Sequence, residues 1–82
     1  MQYSIEIKPQ AIKDGKKIPL KQLKRIFDKI ELLSDNLQGD VKHLSDFTPE
    51  YRLRVGDYRV LFEVEHNAVV VYRIKHRKNA YK

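Results

Sequence analysis

Apolar side chains recur along this chain with two different periods, and the switch between them predicts its elements. Tyr3, Ile5 and Ile7 alternate with Ser4, Glu6 and Lys8, which reads as a half-buried edge strand closed by Pro9, a residue with no N–H to donate. Gln10 to Asp14 suits a short helical turn stopped by Gly15. Pro19 fits a first helical position. Beyond it Leu20, Leu23, Ile26, Phe27, Ile30 and Leu33 repeat at three- and four-residue steps, the stripe of an amphipathic helix whose wet side carries Lys21, Lys24, Arg25, Asp28, Lys29 and Glu31. Ser34-Asp35-Asn36 ends it, Gly39-Asp40 turns, Val41 to Leu44 suggests a short strand, and Asp46-Phe47-Thr48-Pro49 is a loop.

The strongest local signal is Tyr51 to Val64. Gly56-Asp57 stands between two runs rich in β-branched and aromatic residues, with glycine first, as a type II′ hairpin turn wants. A two-residue loop sets Val55 opposite Tyr58, Leu53 opposite Val60 and Tyr51 opposite Phe62, all on one face. The other face then carries Arg52, Arg54 and Arg59, with Arg54 directly across from Arg59. Like charges opposed in a ladder are destabilising. His66-Asn67 marks a further turn, read as a three-residue loop, which predicts Val70, Tyr72 and Ile74 on the core face and Arg73 and Lys75 on the arginine face. The opposite parity would bury Arg73, costly without a partner. Strand parity assigns Tyr51, Tyr58 and Tyr72 to the core. The predicted fold is α+β: a small twisted antiparallel sheet with one short and one long N-terminal helix packed on one face, the other face basic and open, in a single domain over residues 1–82. There are no internal repeats and no linker.

Composition narrows the chemistry. A chain of 82 residues with 41% apolar content is near the lower limit for a self-sufficient core. It has no cysteine, so disulfides and thiolate metal sites are excluded. Its longest apolar run, Ala68 to Tyr72, is far too short to span a membrane, and its N-terminus lacks a basic-then-apolar signal pattern, so a cytoplasmic location is the expectation. The formal charge of +6 is unevenly placed, since five of the six arginines fall between Arg52 and Arg77. Three guanidinium groups on one pleat point to a polyanion, because the planar fork of arginine matches phosphate; a merely solvated basic face is the alternative. His43, His66 and His76 have no metal-ligand spacing, the glycines form no phosphate loop, and no Ser-His-Asp grouping can be argued. His76 is a candidate base, since imidazole titrates near neutrality.

The run from Tyr51 to Val64 with its Gly56-Asp57-Tyr58-Arg59-Val60 centre, followed by Ile74-Lys75-His76-Arg77 and Tyr81, resembles the RelE/ParE superfamily of toxins from type II toxin–antitoxin systems, over essentially the whole chain. Members of the RelE-like branch are ribosome-dependent endoribonucleases that cut messenger RNA in the decoding site; ParE-like members inhibit DNA gyrase. The resemblance to the RelE-like branch implies a catalytic set of Arg52, Arg54, Arg59, Arg77 and Tyr81, with Arg73, Lys75 and His76 as further catalytic or RNA-binding positions. The best-known relatives carry lysines where Arg52 and Arg54 stand, and guanidinium stays protonated, so these two supply charge rather than accept protons. The resemblance further implies metal-free cleavage without a cofactor, a cognate antitoxin as partner, the ribosome with its messenger as target, and operator DNA only through the toxin–antitoxin complex.

Attack by a ribose 2′-hydroxyl needs a base, positive charge on the phosphorane and help for the leaving 5′-oxygen. Donors aimed at developing charge are usually the largest contribution. On the implied assignment Arg59 clamps the scissile phosphate and Arg77 stabilises the leaving oxygen. Tyr81 stacks on a base or, with nearby cations lowering its pKa, accepts the 2′ proton. A ParE-like gyrase inhibitor and a non-catalytic basic RNA-binding module are the competing expectations.

Overall fold

The computed structural model describes residues 1–80. Its elements run β1 (Ser4–Ile7), α1 (Pro9–Gly15), α2 (Leu20–Leu32), β2 (Val41–His43), β3 (Tyr51–Val55), β4 (Tyr58–Glu65) and β5 (Ala68–His76). The five strands form one sheet in the order β1-β5-β4-β3-β2. Strands β2 to β5 are an antiparallel meander, but β1 lies parallel to β5, with Ile5 beside Val69. That one parallel pair departs from the all-antiparallel expectation. Alternation along β1 is the same for either direction; the long helical excursion after it is what lets the strand run alongside β5.

The α+β layering is as the periodicities require. Ile26, Ile30 and Leu33 from the α2 region and Ala11 from α1 pack on Leu53, Val55, Val60, Phe62, Val69, Val71 and Ile74 of the sheet. Tyr51 and Tyr58 join this core half-buried, and the Tyr51 ring stacks on Phe62 at 5.4 Å. Leu20, the first apolar residue of the helical pattern, stands at the start of α2 just after Pro19 and is 83% exposed.

The β4–β5 connection differs from expectation. Glu65 pairs with Ala68, so the loop has two residues rather than three, and a bulge falls where the register shifts between Leu61 and Phe62. The bulge absorbs the parity change. Val69 and Val71 reach the core along with Ile74, while Val70 and Tyr72 leave it. Tyr72 instead donates its hydroxyl to Glu65 at 2.6 Å. One extra residue on one strand reverses every later side chain, and local sequence does not announce it.

The second face of the sheet is not bare. The rung Arg52–Leu61–Arg73 and the rung Arg54–Arg59–Lys75 both lie there, as the register shows. Leu61, Val70 and Ala80 are nonetheless buried outside the main core. Leu44, Phe47 and Pro49 from the loop before β3, together with Ala80, surround a shallow hollow over Leu61. Apolar side chains on that face need cover, and the loop and the C-terminal turn provide it. Among the described residues no helix is long and apolar enough to cross a membrane.

Candidate functional site

The β3–β4 hairpin builds one end of the molecule. Gly56 takes φ of +57° while Asp57 does not, the signature of a turn that begins in the left-handed region, where glycine alone is unstrained. This turn sets Arg54 directly across from Arg59. The Arg59 Nη1 donates to the carbonyls of Gly56 at 2.9 Å and Tyr58 at 3.0 Å, so its guanidinium folds back over the turn. Past Val41 the strand β2 runs out, and the Arg54 backbone N–H is taken by the Asp40 carbonyl at 3.0 Å. The same residue grips the side chain, with Asp40 Oδ2 only 2.6 Å from Arg54 Nε.

The C-terminal end arrives here too. The Arg77 backbone N–H donates to the Asp57 carbonyl at 2.8 Å, which pins the last arginine beside the hairpin turn. Its side chain lies 3.8 Å from Asp57 Oδ1 with both groups well exposed, a loose surface pair that stabilises little. From the other layer α2 contributes Arg25, whose Nη1 lies 3.7 Å from where a Cβ on Gly56 would stand. Arg25, Lys29, Asp40, Arg54, Arg59 and Arg77 thus line a concavity of about 470 Å³. That is a size typical of ligand pockets. Five cations converge on it against one carboxylate, an arrangement that self-repulsion disfavours and an anion would relieve.

The structure divides the residues singled out from sequence. Arg54, Arg59 and Arg77 meet in this concavity. Arg52 does not: opposite Leu61, its Nε and Nη1 are buried with no hydrogen-bond partner among the described residues. Arg73 also stays away. Beyond the end of β1 the edge of β5 is open, and Asp14 of α1 closes it, accepting from Arg73 Nε at 2.8 Å, Arg73 Nη2 at 3.1 Å and the Ile74 N–H at 3.0 Å. Arg73 shares its rung with Leu61 and Arg52, but its fork is turned to that carboxylate. The partner that parity alone could not supply is therefore present. Burial pushes the Asp14 carboxyl up, but the bonds from Arg73, Ile74 and Gln10 and the Arg73 charge outweigh it and hold it below the usual carboxylate range. The bond from Asp14 raises Arg73 above its ordinary value in turn.

Lys75 and His76 line a different hollow, of about 340 Å³, next to Asp14 and Tyr58. The His76 ring meets Tyr58 edge-on at 5.5 Å, and its Nδ1 accepts the Lys78 backbone N–H at 3.3 Å. Tyr81 lies outside the described residues. His43, with no role assigned from sequence, contacts Glu50 at 3.2 Å and the Tyr51 ring. Among the described residues no group of three histidine or acidic side chains is placed to hold a metal.

Sequence reading missed Arg25, Lys29 and Asp40. The first two were legible only as the wet side of a helix, yet each directly precedes a buried isoleucine, Ile26 or Ile30, and so flanks the buried stripe where it meets the sheet. Asp40 looked like half of a turn.

Residues 5–81 match the family described as ParE toxin of type II toxin–antitoxin system, parDE. A chain of Methanocaldococcus jannaschii named as a RelE1 toxin is 32% identical over 88 aligned positions, covering all of this chain and 98% of its own length. Among solved structures, the RelB-RelE antitoxin–toxin complex from Methanococcus jannaschii contains a chain that superposes with a TM-score of 0.77 at 32% identity, covering 93% of this chain and 94% of that one. A chain of the toxin–antitoxin complex RelBE2 from Mycobacterium tuberculosis superposes at 0.80 with 26% identity, covering 94% and 100%. The helix-backed sheet is thus common to these chains, and this chain belongs to the RelE/ParE superfamily of type II toxins.

Proposed function

We propose that this toxin is a ribosome-dependent endoribonuclease that cuts messenger RNA by attack of a ribose 2′-hydroxyl on the adjacent phosphate. The observation that carries the reading is the convergence of Arg25, Lys29, Arg54, Arg59 and Arg77 on one concavity at the hairpin end. Donors fixed before the substrate arrives need no reorganisation when charge develops on the phosphorane. Arg59, braced by two backbone carbonyls, is the natural clamp for the scissile phosphate, and Arg77, tethered through its backbone to Asp57, the stabiliser of the leaving oxygen. Arg52, with two buried unpartnered nitrogens, contributes positive potential from the neighbouring rung of the same face or takes an anion that reaches it. Tyr81 remains proposed to stack on a base or accept the 2′ proton, and Arg73, Lys75 and His76 remain proposed as further catalytic or RNA-binding positions.

A cognate antitoxin follows as the proposed partner, since the chains that superpose were solved in complexes with one. Exposed Ile12, Leu20 and Leu32 on the helices offer it apolar contact, and the cationic concavity offers an acidic segment a seat. The proposed setting is the cytoplasm, with operator DNA engaged only through the complex.

Induced expression with genome-wide mapping of transcript 5′ ends tests the reading. Wild-type protein should generate cuts within translated frames and arrest growth, and Arg77→Ala should abolish both. Intact messenger with accumulated cleaved DNA would replace it with gyrase inhibition, the reading favoured by the ParE description of the matching family.

A further inference from the structure

Tyr81 aside, which lies outside the described residues, the nuclease reading leaves one chemical role unfilled. Something must take the proton from the 2′-hydroxyl, and five cations cannot. Guanidinium and ammonium groups are donors at neutral pH. His76 opens on another hollow, and its Nδ1 is occupied by the Lys78 backbone N–H. What the concavity does contain is a single carboxylate, Asp40.

We propose that Asp40 is the proton acceptor of this site, oriented by Arg54. The inference rests on the nuclease reading above and deepens it. Its support is geometric. Arg54 holds Asp40 from two directions, since its backbone N–H meets the Asp40 carbonyl at 3.0 Å and its Nε meets Oδ2 at 2.6 Å. One oxygen of the carboxylate is thereby fixed and the other, Oδ1, has no bond to a described residue. The Asp40 side chain is 47% exposed, open enough to meet a substrate hydroxyl. Base, orienting group and phosphate clamps stand together: Asp40, then Arg54, then Arg59 across the ladder and Arg25 against Gly56. This is the nucleophile–base–orienter logic of covalent catalysis with a ribose hydroxyl as the nucleophile. The surrounding cations also keep a carboxylate tolerable next to a phosphodiester, which an isolated aspartate would repel.

The step balances. The 2′-O–H bond breaks and its proton passes to Asp40 Oδ1 as the 2′-oxygen bonds to phosphorus. The bond from phosphorus to the 5′-oxygen then breaks, Arg77 stabilises the departing oxygen, and a water proton completes it. The products are a 2′,3′-cyclic phosphate and a 5′-hydroxyl, and Asp40 returns its proton to solvent.

A plainer role for Asp40, as counter-ion to a crowded arginine, predicts the opposite sign, so one substitution separates the two. Purified toxin would be assayed in single-turnover reactions on ribosomes programmed with a defined messenger. Asp40→Asn retains the shape and the backbone bond to Arg54. It should slow cleavage at saturation by about 10²–10⁴-fold, the usual contribution of a positioned base, with the half-saturating toxin concentration unchanged or lower. Asp40→Glu should recover at least tenfold of that loss, and thermal melts of both variants establish that they fold. Cleavage by Asp40→Asn at or above the wild-type rate would overturn the proposal and leave the counter-ion. Should Asp40→Asn not fold, a fully active Asp40→Ser would overturn it equally. No cleavage by the wild type would instead remove the nuclease reading itself, a result distinguishable from either.

Discussion

Replacing Asp14 by alanine tests how this small fold closes its exposed sheet edge. The carboxylate side chain is only 10% exposed and accepts three bonds from β5, two from the Arg73 fork and one from the Ile74 N–H. Losing one partner of a fully buried pair costs about 3–5 kcal/mol. Arg73, however, keeps 38% of its side chain exposed and can rehydrate once released, so that figure is too large. With net values of about 1 kcal/mol for an ordinary hydrogen bond and somewhat more for a charged one, the expected loss is roughly 2–3 kcal/mol. In a domain of this size that lowers the melting temperature by on the order of 10–20 °C.

Thermal and urea unfolding at pH 7 read the effect, and a double-mutant cycle with Arg73→Ala should give a coupling of about 1–2 kcal/mol. The pH dependence follows from the direction of the shift. The folded-state carboxyl of Asp14 is held below its unfolded value. Its contribution is therefore present above the unfolded pKa and is lost as pH falls through the folded one, so wild type and Asp14→Ala should converge in stability only in strongly acidic solution. A loss under about 0.5 kcal/mol with no coupling would refute the reasoning and return Arg73 to the candidate anion-binding set.

Two further outcomes check the fold. Phe62→Ala, at a fully buried position stacked on Tyr51, should cost about 3–5 kcal/mol in urea unfolding, and a smaller loss would mean that the helices do not seal the sheet there. His66 sits at φ of +57° in an exposed turn, so His66→Gly should raise stability by about 1 kcal/mol in thermal melts; a decrease would show that its side chain stabilises the turn in another way.

What sequence alone settled about this toxin is whatever depends on spacing within one segment. Three- and four-residue steps marked α2, a glycine in first place marked the hairpin turn, and two-residue alternation set Arg54 across from Arg59. Only the tertiary structure decided the rest, because it turns on which segments meet. The direction of β1 comes from the path of two helices, the buried set on β5 from a bulge that reverses parity, and the fate of Arg73 from a carboxylate 59 residues away. The concavity has the same origin: Arg25, Asp40, Arg54 and Arg77 lie on four separate segments, and Arg25 and Asp40 look like ordinary solvated charge until packing brings them beside Arg54 and Arg77. Periodicity tells a residue which way to face; the field it experiences is set by neighbours that its own segment does not encode.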